Sequence, residues 1–235
     1  MKLSPEQLFK KFSQEFGSQN WWPVTEKGAI SPSYKKRSKL TEKQKLEICL
    51  GAILTQNTSW KNVEKAIIEL NKQKMVDCKK IVKAENKKIT ELIRTTGYFN
   101  QKAKKLKKFS CHLLKNYNGK INSFLEKPLE ELRKELLSIH GIGKETADSI
   151  ILYAAEKPVF VVDAYTKRIV ERYYGKKNMS YESVKIFFES SLGKNAFAFN
   201  EMHALLVEFA KRYCRKQPLC EQCFLNKSCA YYSFK

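Results

Sequence analysis

Two helical patterns meet at Leu136-Leu137-Ser138-Ile139-His140-Gly141-Ile142-Gly143-Lys144-Glu145-Thr146-Ala147. The two glycines of this stretch allow a tight turn between the helices. Such a turn leaves consecutive backbone N–H groups at the start of the second helix, where a phosphate binds without sequence preference. The stretch therefore predicts a helical hairpin that can hold a nucleic-acid backbone, although any tight turn between helices could use two such glycines.

An aspartate follows the hairpin at the start of the next helical pattern. Asp163 lies eighteen residues after Glu145 and directly before the pattern at 164–174. Aspartate is a common helix N-cap, because its carboxylate accepts the first N–H groups of the helix. Taken by itself, Asp163 is better explained as a cap than as a functional carboxylate.

Apolar residues recur with helical spacing along almost the whole chain. After two N-terminal helices that begin at Ser4 and Thr41, helices are predicted at about 59–72, 88–96, 100–116, 128–139, 144–155, 164–174, 181–191 and 196–213. The one strand-like run, Val159-Phe160-Val161-Val162, is too short to require a sheet. The predicted fold class is all-α.

The charge balance favours a polyanionic partner. The 235 residues include 45 Lys and Arg against 24 Asp and Glu, for a formal net charge of +21 at pH 7. Biased coding can explain lysine in place of arginine but not the shortage of acids, and nucleic acid is the commonest polyanion. No run approaches the roughly 18 apolar residues that cross a bilayer, and the first residues lack the apolar core of a signal peptide. We therefore expect a soluble cytoplasmic protein, associated with the nucleoid in a prokaryote, with no membrane partner.

Four of the seven cysteines are crowded near the C-terminus, namely Cys214, Cys220, Cys223 and Cys229. In a reducing compartment this spacing indicates a metal site more often than disulfides, because close thiolates converge on one centre. Four thiolates suit tetrahedral zinc or a [4Fe–4S] cluster, and the spacing does not decide between them. The other cysteines lie in or beside helical patterns and are expected to pack as small apolar residues.

Three motifs in this order resemble the helix–hairpin–helix DNA glycosylases of the endonuclease III superfamily. They are residues 139–147, the run Val161-Val162-Asp163 and the four cysteines. The resemblance spans most of residues 40–230 and implies base excision repair on double-stranded DNA that contains damaged bases, by a protein that we expect to be a monomer. It implies that Asp163 is the catalytic residue. It also implies that the hairpin binds the DNA backbone through Gly141, Ile142, Gly143 and Lys144.

The same resemblance implies the cofactor and the architecture. The four cysteines would ligate a [4Fe–4S] cluster, although the family usually has six residues between its first two cysteines and this chain has five. The fold would consist of two helical lobes with the DNA and base pocket between them. One lobe is a six-helix barrel over residues 41–150 with the hairpin at 132–155, and the other combines 1–40 with 151–235 and carries the cluster loop at 214–229.

Strand cleavage is not expected. Bifunctional members of the superfamily carry a lysine two residues after the second hairpin glycine, and its amine forms a Schiff base with the sugar. This chain has Glu145 there, and Lys144 lies about 100° around the helix from that position. We predict a monofunctional glycosylase with little or no lyase activity.

The predicted substrate follows from the absence of a general acid at the position of Gly51. Adenine-mismatch members of the superfamily carry a glutamate general acid at the position that an alignment through Leu54-Thr55-Gln56 gives to Gly51. Without that acid a neutral adenine is a poor leaving group. A base that is already cationic, an alkylated purine such as 3-methyladenine, leaves without being protonated.

Tryptophans provide the faces on which a cationic base would stack. Residues 21–23, 51–58, 97–104 and 141–148 together resemble the 3-methyladenine DNA glycosylase III type, whose described member lacks the cysteines. The resemblance implies a sandwich of the base between Trp60 and the Trp21/Trp22 pair, with Pro23 beside them. Tryptophan in core packing is the alternative explanation.

Two further residues are assigned to DNA binding, Gln56 as the side chain that fills the gap left by the flipped base and Lys102 as a basic contact. Two other functions stay open. One is a glycosylase for mismatched uracil or thymine that uses the same Asp163, and the other is a non-catalytic protein that keeps the hairpin only for DNA attachment.

Overall fold

The computed structural model describes residues 2–35 and 39–233. The chain divides into two compact units. The first unit combines Met1–Trp21 with Pro158–Lys235, and the second is Trp22–Lys157.

Helices dominate the described residues, which confirms the mostly helical fold class. The elements in chain order are α1 (Pro5–Phe16), β1 (Val24–Thr25), β2 (Pro32–Ser33), α2 (Glu42–Leu54), α3 (Trp60–Lys72), α4 (Cys78–Lys83), α5 (Asn86–Leu92), α6 (Phe99–Tyr117), α7 (Ile121–Leu125), α8 (Leu129–Ser138), α9 (Lys144–Tyr153), α10 (Ala164–Tyr174), α11 (Tyr181–Leu192), α12 (Ala196–Arg212) and α13 (Ala230–Ser233). Short 3-10 turns cover Arg94–Thr96, Cys220–Gln222 and Asn226–Ser228.

Several elements differ from the periodicity, which predicted no helix at α4, α7 or α13. The segment predicted as one helix at 88–96 is α5 followed by a 3-10 turn, and Gly97 with a φ of 66° ends that turn. A small antiparallel ribbon was also missed, in which Val24 pairs with Ser33 and Thr25 with Pro32. Its strands are two residues long, which is too short for an alternating pattern to be visible.

The first two helices begin at the predicted residues, and both carry a capping box. Ser4 and Gln7 satisfy each other's backbone N–H groups at the start of α1, and Thr41 and Gln44 do so at the start of α2. These caps place both helix starts where the sequence put them.

In the first unit, α12 packs against α1, α10 and α11. Aromatic rings fill this core, with Phe12 stacked on Phe209 at 4.8 Å between centroids and Phe160 stacked on Phe188 at 4.4 Å. The run 159–162 is buried and extended between α9 and α10, and within the described residues it pairs with no strand. No helix among the described residues is long and apolar enough to cross a membrane.

In the second unit, a buried ion pair joins the two helices of the hairpin. Arg133 on α8 donates from Nε to Oδ1 of Asp148 on α9 at 2.7 Å and from Nη2 to Oδ2 at 3.1 Å. The Asp148 side chain is fully buried and that of Arg133 is 14% exposed. A bidentate pair of this kind fixes both the distance and the angle between the two helices.

We expect Arg133→Met to lower the free energy of unfolding by about 3–5 kcal/mol, because it leaves the Asp148 carboxylate buried without its partner. The double variant Arg133→Met/Asp148→Leu removes both charges and should recover most of this loss. Urea denaturation of the two variants and the wild type measures the difference. Equal stability of the single variant and the wild type would contradict a structural role for the pair.

Candidate functional site

A cavity of about 440 Å³ opens at the hairpin of the second unit. It is lined by Gln56, Asn57, Lys105 and residues 141–146. Gly143 is the N-cap of α9 and has no side chain with which to cap this helix start. The helix start therefore faces the cavity with N–H groups that an anion can accept.

The two hairpin glycines have different roles. Gly141 has a φ of +93°, and a Cβ there would lie 2.6 Å from Cγ of Lys105. Gly143 has an extended backbone, and a Cβ there would meet none of the described atoms within 4 Å. Gly141 is therefore required by backbone conformation and packing, whereas Gly143 keeps the helix start open.

Gln56 lies on the hairpin rather than apart from it. Its Nε2 donates to the Gly141 carbonyl at 2.9 Å and to Oγ1 of Thr146 at 3.0 Å, and its Oε1 accepts from Nζ of Lys105. The structure thus brings Gln56 together with Gly141, Ile142, Gly143 and Lys144, all of which line one cavity.

The assignment of Lys102 to DNA binding is wrong. Its side chain is 1% exposed, and its ammonium donates to the Leu54 carbonyl at 2.9 Å and to the Thr96 carbonyl at 2.7 Å. Burial, and then the charge of Lys105, lower the pKa of Lys102 to about 8. Lys102 therefore joins the C-terminal end of α2 to the 3-10 turn at Arg94–Thr96, and Lys105 is the neighbouring lysine that reaches the cavity.

The second unit also contains a compact aromatic cluster. The Trp22 ring is 4% exposed and lies 5.1 Å from the Trp60 ring at 80° and 5.3 Å from the Tyr153 ring at 52°. Two rings that hold a base between them must be parallel and about 7 Å apart, which is twice a contact distance. Trp22 and Trp60 therefore do not form the predicted sandwich with each other, and Trp22 supports Trp60 edge-on.

The remaining members of the predicted base site differ in exposure. Trp60 is half-buried at the start of α3, and Pro23 is buried beside Trp22. Trp21 is half-buried and falls in the other compact unit.

Gly51 provides the space that the Trp22 indole occupies. A Cβ at Gly51 would lie 3.0 Å from Cζ2 of Trp22. A longer side chain at this position in α2 would displace the ring, so the position that carries an acid in adenine-mismatch glycosylases is here covered by an indole.

Buried polar side chains hold the segment that follows Trp22. The Thr25 N–H donates to Oε1 of Glu47 at 2.8 Å, and Nε2 of Gln44 donates to the Thr25 carbonyl at 3.2 Å. Nδ2 of Asn71 donates to Oγ1 of Thr25 at 3.0 Å and to Oε2 of Glu47 at 2.8 Å. This group, the Thr25 anchor, fixes the chain three residues after Trp22 onto α2 and α3.

Asp163 belongs to the first unit, where it is the N-cap of α10. Its Oδ1 accepts the Thr166 N–H at 2.7 Å, and its Oδ2 lies 3.6 Å from Nε2 of His203 on α12. Burial alone would raise the pKa of the Asp163 carboxyl, but the His203 side chain and then the Thr166 N–H outweigh burial and bring the pKa below its ordinary value. Asp163 is therefore a nearly buried carboxylate that stays ionised at neutral pH.

The four C-terminal cysteines surround one apolar cavity in the first unit. Burial raises the pKa of the Cys223 thiol to about 11, and the thiols of the other three cysteines add to this rise. Within residues 2–35 and 39–233, no three His, Cys, Asp or Glu side chains converge as a single-ion site does. The four cysteine thiols share one cavity.

Helix α10 holds the cysteine loop through two arginines. Nε of Arg168 donates to the Cys214 carbonyl at 2.8 Å, and Nη2 of Arg172 donates to the Lys216 carbonyl at 3.0 Å. Nη1 of Arg172 lies 3.7 Å from the Cys214 sulfur. The helix that begins at Asp163 thus also fixes the start of the loop.

Known proteins match this arrangement. Residues 50–194 match the family described as "HhH-GPD superfamily base excision DNA repair protein". The chain belongs to the HhH-GPD superfamily. A Methanocaldococcus jannaschii protein whose name assigns it provisionally to the DNA repair glycosylases is 41% identical over 224 residues, which cover 94% of each chain.

Two further similar proteins are named for different bases. The crystal structure of H. pylori 3-methyladenine DNA glycosylase bound to 1,N6-ethenoadenine has a TM-score of 0.71 and 29% identity, covering 89% of this chain and 98% of that one. A thymine/uracil-DNA glycosylase of Methanothermobacter thermautotrophicus is 26% identical over 155 residues, which cover 65% of this chain and 66% of the relative. The resemblance to helix–hairpin–helix glycosylases is thereby confirmed at the level of the superfamily.

Sequence reasoning missed Glu47 and His203 in this HhH-GPD chain. Glu47 lies one helical turn before Gly51 in an otherwise apolar stretch, and a lone acid in such a stretch is a signal of a buried polar contact. His203 is one of three histidines and lies 40 residues after Asp163, so only the fold brings the two together.

The Thr25 anchor predicts contrasting variants at Glu47. Glu47→Leu should lower the free energy of unfolding by about 2–4 kcal/mol, because it removes the acceptor of the buried Thr25 N–H and one of the two acceptors of the Asn71 amide. Glu47→Gln should stay within about 1 kcal/mol of wild type, since its amide oxygen replaces one acceptor and the charge that burial disfavours is removed. Urea denaturation gives the stabilities, and near-ultraviolet circular dichroism reports whether Trp22 keeps its packing. Equal loss in both variants would show that the charge of Glu47, rather than its acceptor oxygens, stabilises the anchor.

Proposed function

We propose that this HhH-GPD glycosylase hydrolyses the N-glycosidic bond of alkylated purines such as 3-methyladenine in double-stranded DNA, with Asp163 as its catalytic residue. One observation carries the choice of substrate. The indole of Trp22 occupies the space next to Gly51 in which a general acid would otherwise stand. A site without that acid favours a base that leaves without a proton.

The proposed reaction cleaves the glycosidic bond between the alkylated base and the sugar. The bond between C1′ and the cationic base breaks, and the base departs as a neutral molecule with the bonding electron pair. The sugar gains oxocarbenium character, water adds at C1′, and the water proton passes to a base or to solvent. A carboxylate about 4 Å from the developing charge contributes on the order of 4 kcal/mol at an effective dielectric of 20, or about a thousandfold in rate.

The state of Asp163 supports this role. Its pKa lies below the ordinary value despite burial, so the carboxylate carries its charge at neutral pH. One oxygen is committed to the cap of α10 through Thr166, which fixes the side chain in one orientation. A fixed, ionised and poorly hydrated carboxylate is what electrostatic stabilisation of a cation requires.

The base would stack on the half-buried Trp60, with Trp22 as the ring that supports it and with Pro23 and Trp21 as further contacts. Cation–π stacking is worth roughly 0.5–2 kcal/mol per ring and favours a charged purine over a neutral one. The H. pylori relative, which is named for 3-methyladenine and was solved with 1,N6-ethenoadenine, supports a modified purine as the ligand.

The hairpin would hold the DNA backbone at Gly141, Ile142, Gly143 and Lys144, and Gln56 would leave the hairpin to fill the gap in the base stack. Glu145 stands in the first turn of α9, where a bifunctional glycosylase would need a lysine. We therefore propose little or no lyase activity.

A second substrate class has support from a relative. The thymine/uracil-DNA glycosylase of M. thermautotrophicus belongs to the same superfamily and matches about two thirds of this chain. A mismatch glycosylase would use Asp163 in the same way but would need contacts to a neutral pyrimidine in place of an electron-rich ring.

The decisive experiment is chromatography of the bases released from methylated DNA and from duplexes with uracil or thymine mismatches. We expect release of 3-methyladenine at least about a hundredfold faster than release of either pyrimidine, because the alkylated base needs no proton. Faster release of uracil or thymine would establish the mismatch function instead. Salt-sensitive DNA binding with no release from any substrate would establish the non-catalytic alternative.

The matched control for catalysis is Asp163→Asn. Asparagine caps a helix as well as aspartate does, so the variant should fold and bind DNA. Base release should fall by about two to three orders of magnitude, since the charge alone is lost. Release at the wild-type rate would refute the catalytic assignment.

We also propose that Cys214, Cys220, Cys223 and Cys229 hold a [4Fe–4S] cluster. The four thiols line one cavity, and four cysteine thiolates are the ligand set of such a cluster. The cluster would link the four cysteines of the loop at 214–229 covalently to one another, and it would have no part in the hydrolytic step.

Iron analysis and a visible absorption spectrum of anaerobically purified protein test this proposal. We expect about four irons per chain with a broad visible band, and Cys220→Ser should lose both because it removes a ligand. Cys111→Ser is the matched control, since Cys111 is an exposed thiol outside the loop, and it should keep the spectrum. A colourless protein with about one zinc per chain would show the tetrahedral alternative.

A further inference from the structure

The side chain of Asp163 faces two different partners with its two oxygens. Oδ1 caps α10 through the Thr166 N–H at 2.7 Å. Oδ2 lies 3.6 Å from Nε2 of His203, and the two side chains are 14% and 11% exposed. Oδ2 therefore faces a titratable side chain that comes from another helix.

Asp163 lies among buried residues, so its carboxylate needs a compensating partner. Val161 and Val162 precede Asp163 and are 1% exposed, and Thr166 is fully buried. A carboxylate among apolar groups tends to bind a proton unless a donor or a positive charge compensates it. His203 lies where such compensation is needed.

Other charged groups of the surrounding helices are directed elsewhere. Glu201, two residues before His203 on α12, accepts the backbone N–H groups of Gln19 and Asn20. Glu189 of α11 accepts the Phe160 N–H, and Glu6 of α1 pairs with Lys10. Lys167 in the first turn of α10 is exposed.

We propose that His203 is a positioning residue that holds Oδ2 of Asp163 and keeps the carboxylate ionised, acting through Asp163 and not on the DNA itself. This inference rests on the proposed catalytic role of Asp163. A neutral imidazole that donates from Nε2 is sufficient, because the contact needs only to shorten by a few tenths of an ångström to become a hydrogen bond, as such contacts often do when substrate binds.

Three substitutions separate this role from packing. Glutamine places an amide N–H near the position of the histidine Nε2, whereas asparagine is polar but too short to reach Oδ2. Leucine fills the volume without a donor. We expect His203→Leu and His203→Asn to release the base at least about tenfold more slowly than wild type in single turnover, and His203→Gln to stay within about threefold.

The pH profile gives a second readout. Removal of the donor should raise the pKa of Asp163, because burial then acts without compensation. The acid limb of the rate profile should therefore move upward by about one pH unit in the Leu and Asn variants and remain near its wild-type position in the Gln variant. DNA affinity should change less than about twofold in all three, since His203 does not touch DNA.

The outcomes distinguish the positioning role of His203 from the proposed glycosylase function on which it rests. Wild-type rates and an unchanged acid limb in both the Leu and Asn variants, with Asp163→Asn inactive, would overturn the inference alone. So would a Gln variant as slow as the Asn variant. No base release by the wild type, or full release by Asp163→Asn, would overturn both proposals. If His203→Leu fails to fold, the comparison of Gln with Asn still decides.

Discussion

The first N–H groups of an α-helix find no partner within the helix, and two helices of this chain meet that constraint in opposite ways. At α10, Asp163 accepts the Thr166 N–H and closes the helix start with a carboxylate. At α9, Gly143 brings no side chain to the helix start, which opens on the hairpin cavity. One helix start therefore orients an anion that the protein supplies, and the other is suited to an anion that DNA supplies.

The aromatic cluster depends on a second constraint, which is the cost of buried polar groups without partners. Thr25 carries a backbone N–H, a carbonyl and a hydroxyl into the interior, and Gln44, Glu47 and Asn71 satisfy all three. These bonds fix the chain shortly after Trp22. The Trp22 indole then packs against Gly51, which has no side chain to displace it. The aromatic surface is thus positioned by polar contacts beneath it.

The sequence predicted what local pattern determines. The helical fold, the helix starts at Ser4 and Thr41 and the hairpin around Gly141 follow from periodicity, capping chemistry and glycine. The superfamily follows from the order of the motifs. Local pattern does not predict the burial of Lys102. A lysine in a basic run looks exposed, and only the fold reveals that two backbone carbonyls surround its ammonium. The relative orientation of Trp22 and Trp60, and the approach of His203 to Asp163, likewise depend on helix packing that no local pattern encodes.

The Thr25 anchor has a consequence for how this part of the molecule can change. The ribbon turn that follows it, residues 26–31, is exposed throughout. The three buried partners of Thr25 hold the chain before that turn begins. Insertions or deletions in the turn would therefore leave the position of Trp22 unchanged. Evolution could therefore lengthen this loop while Trp22 keeps its place against Gly51.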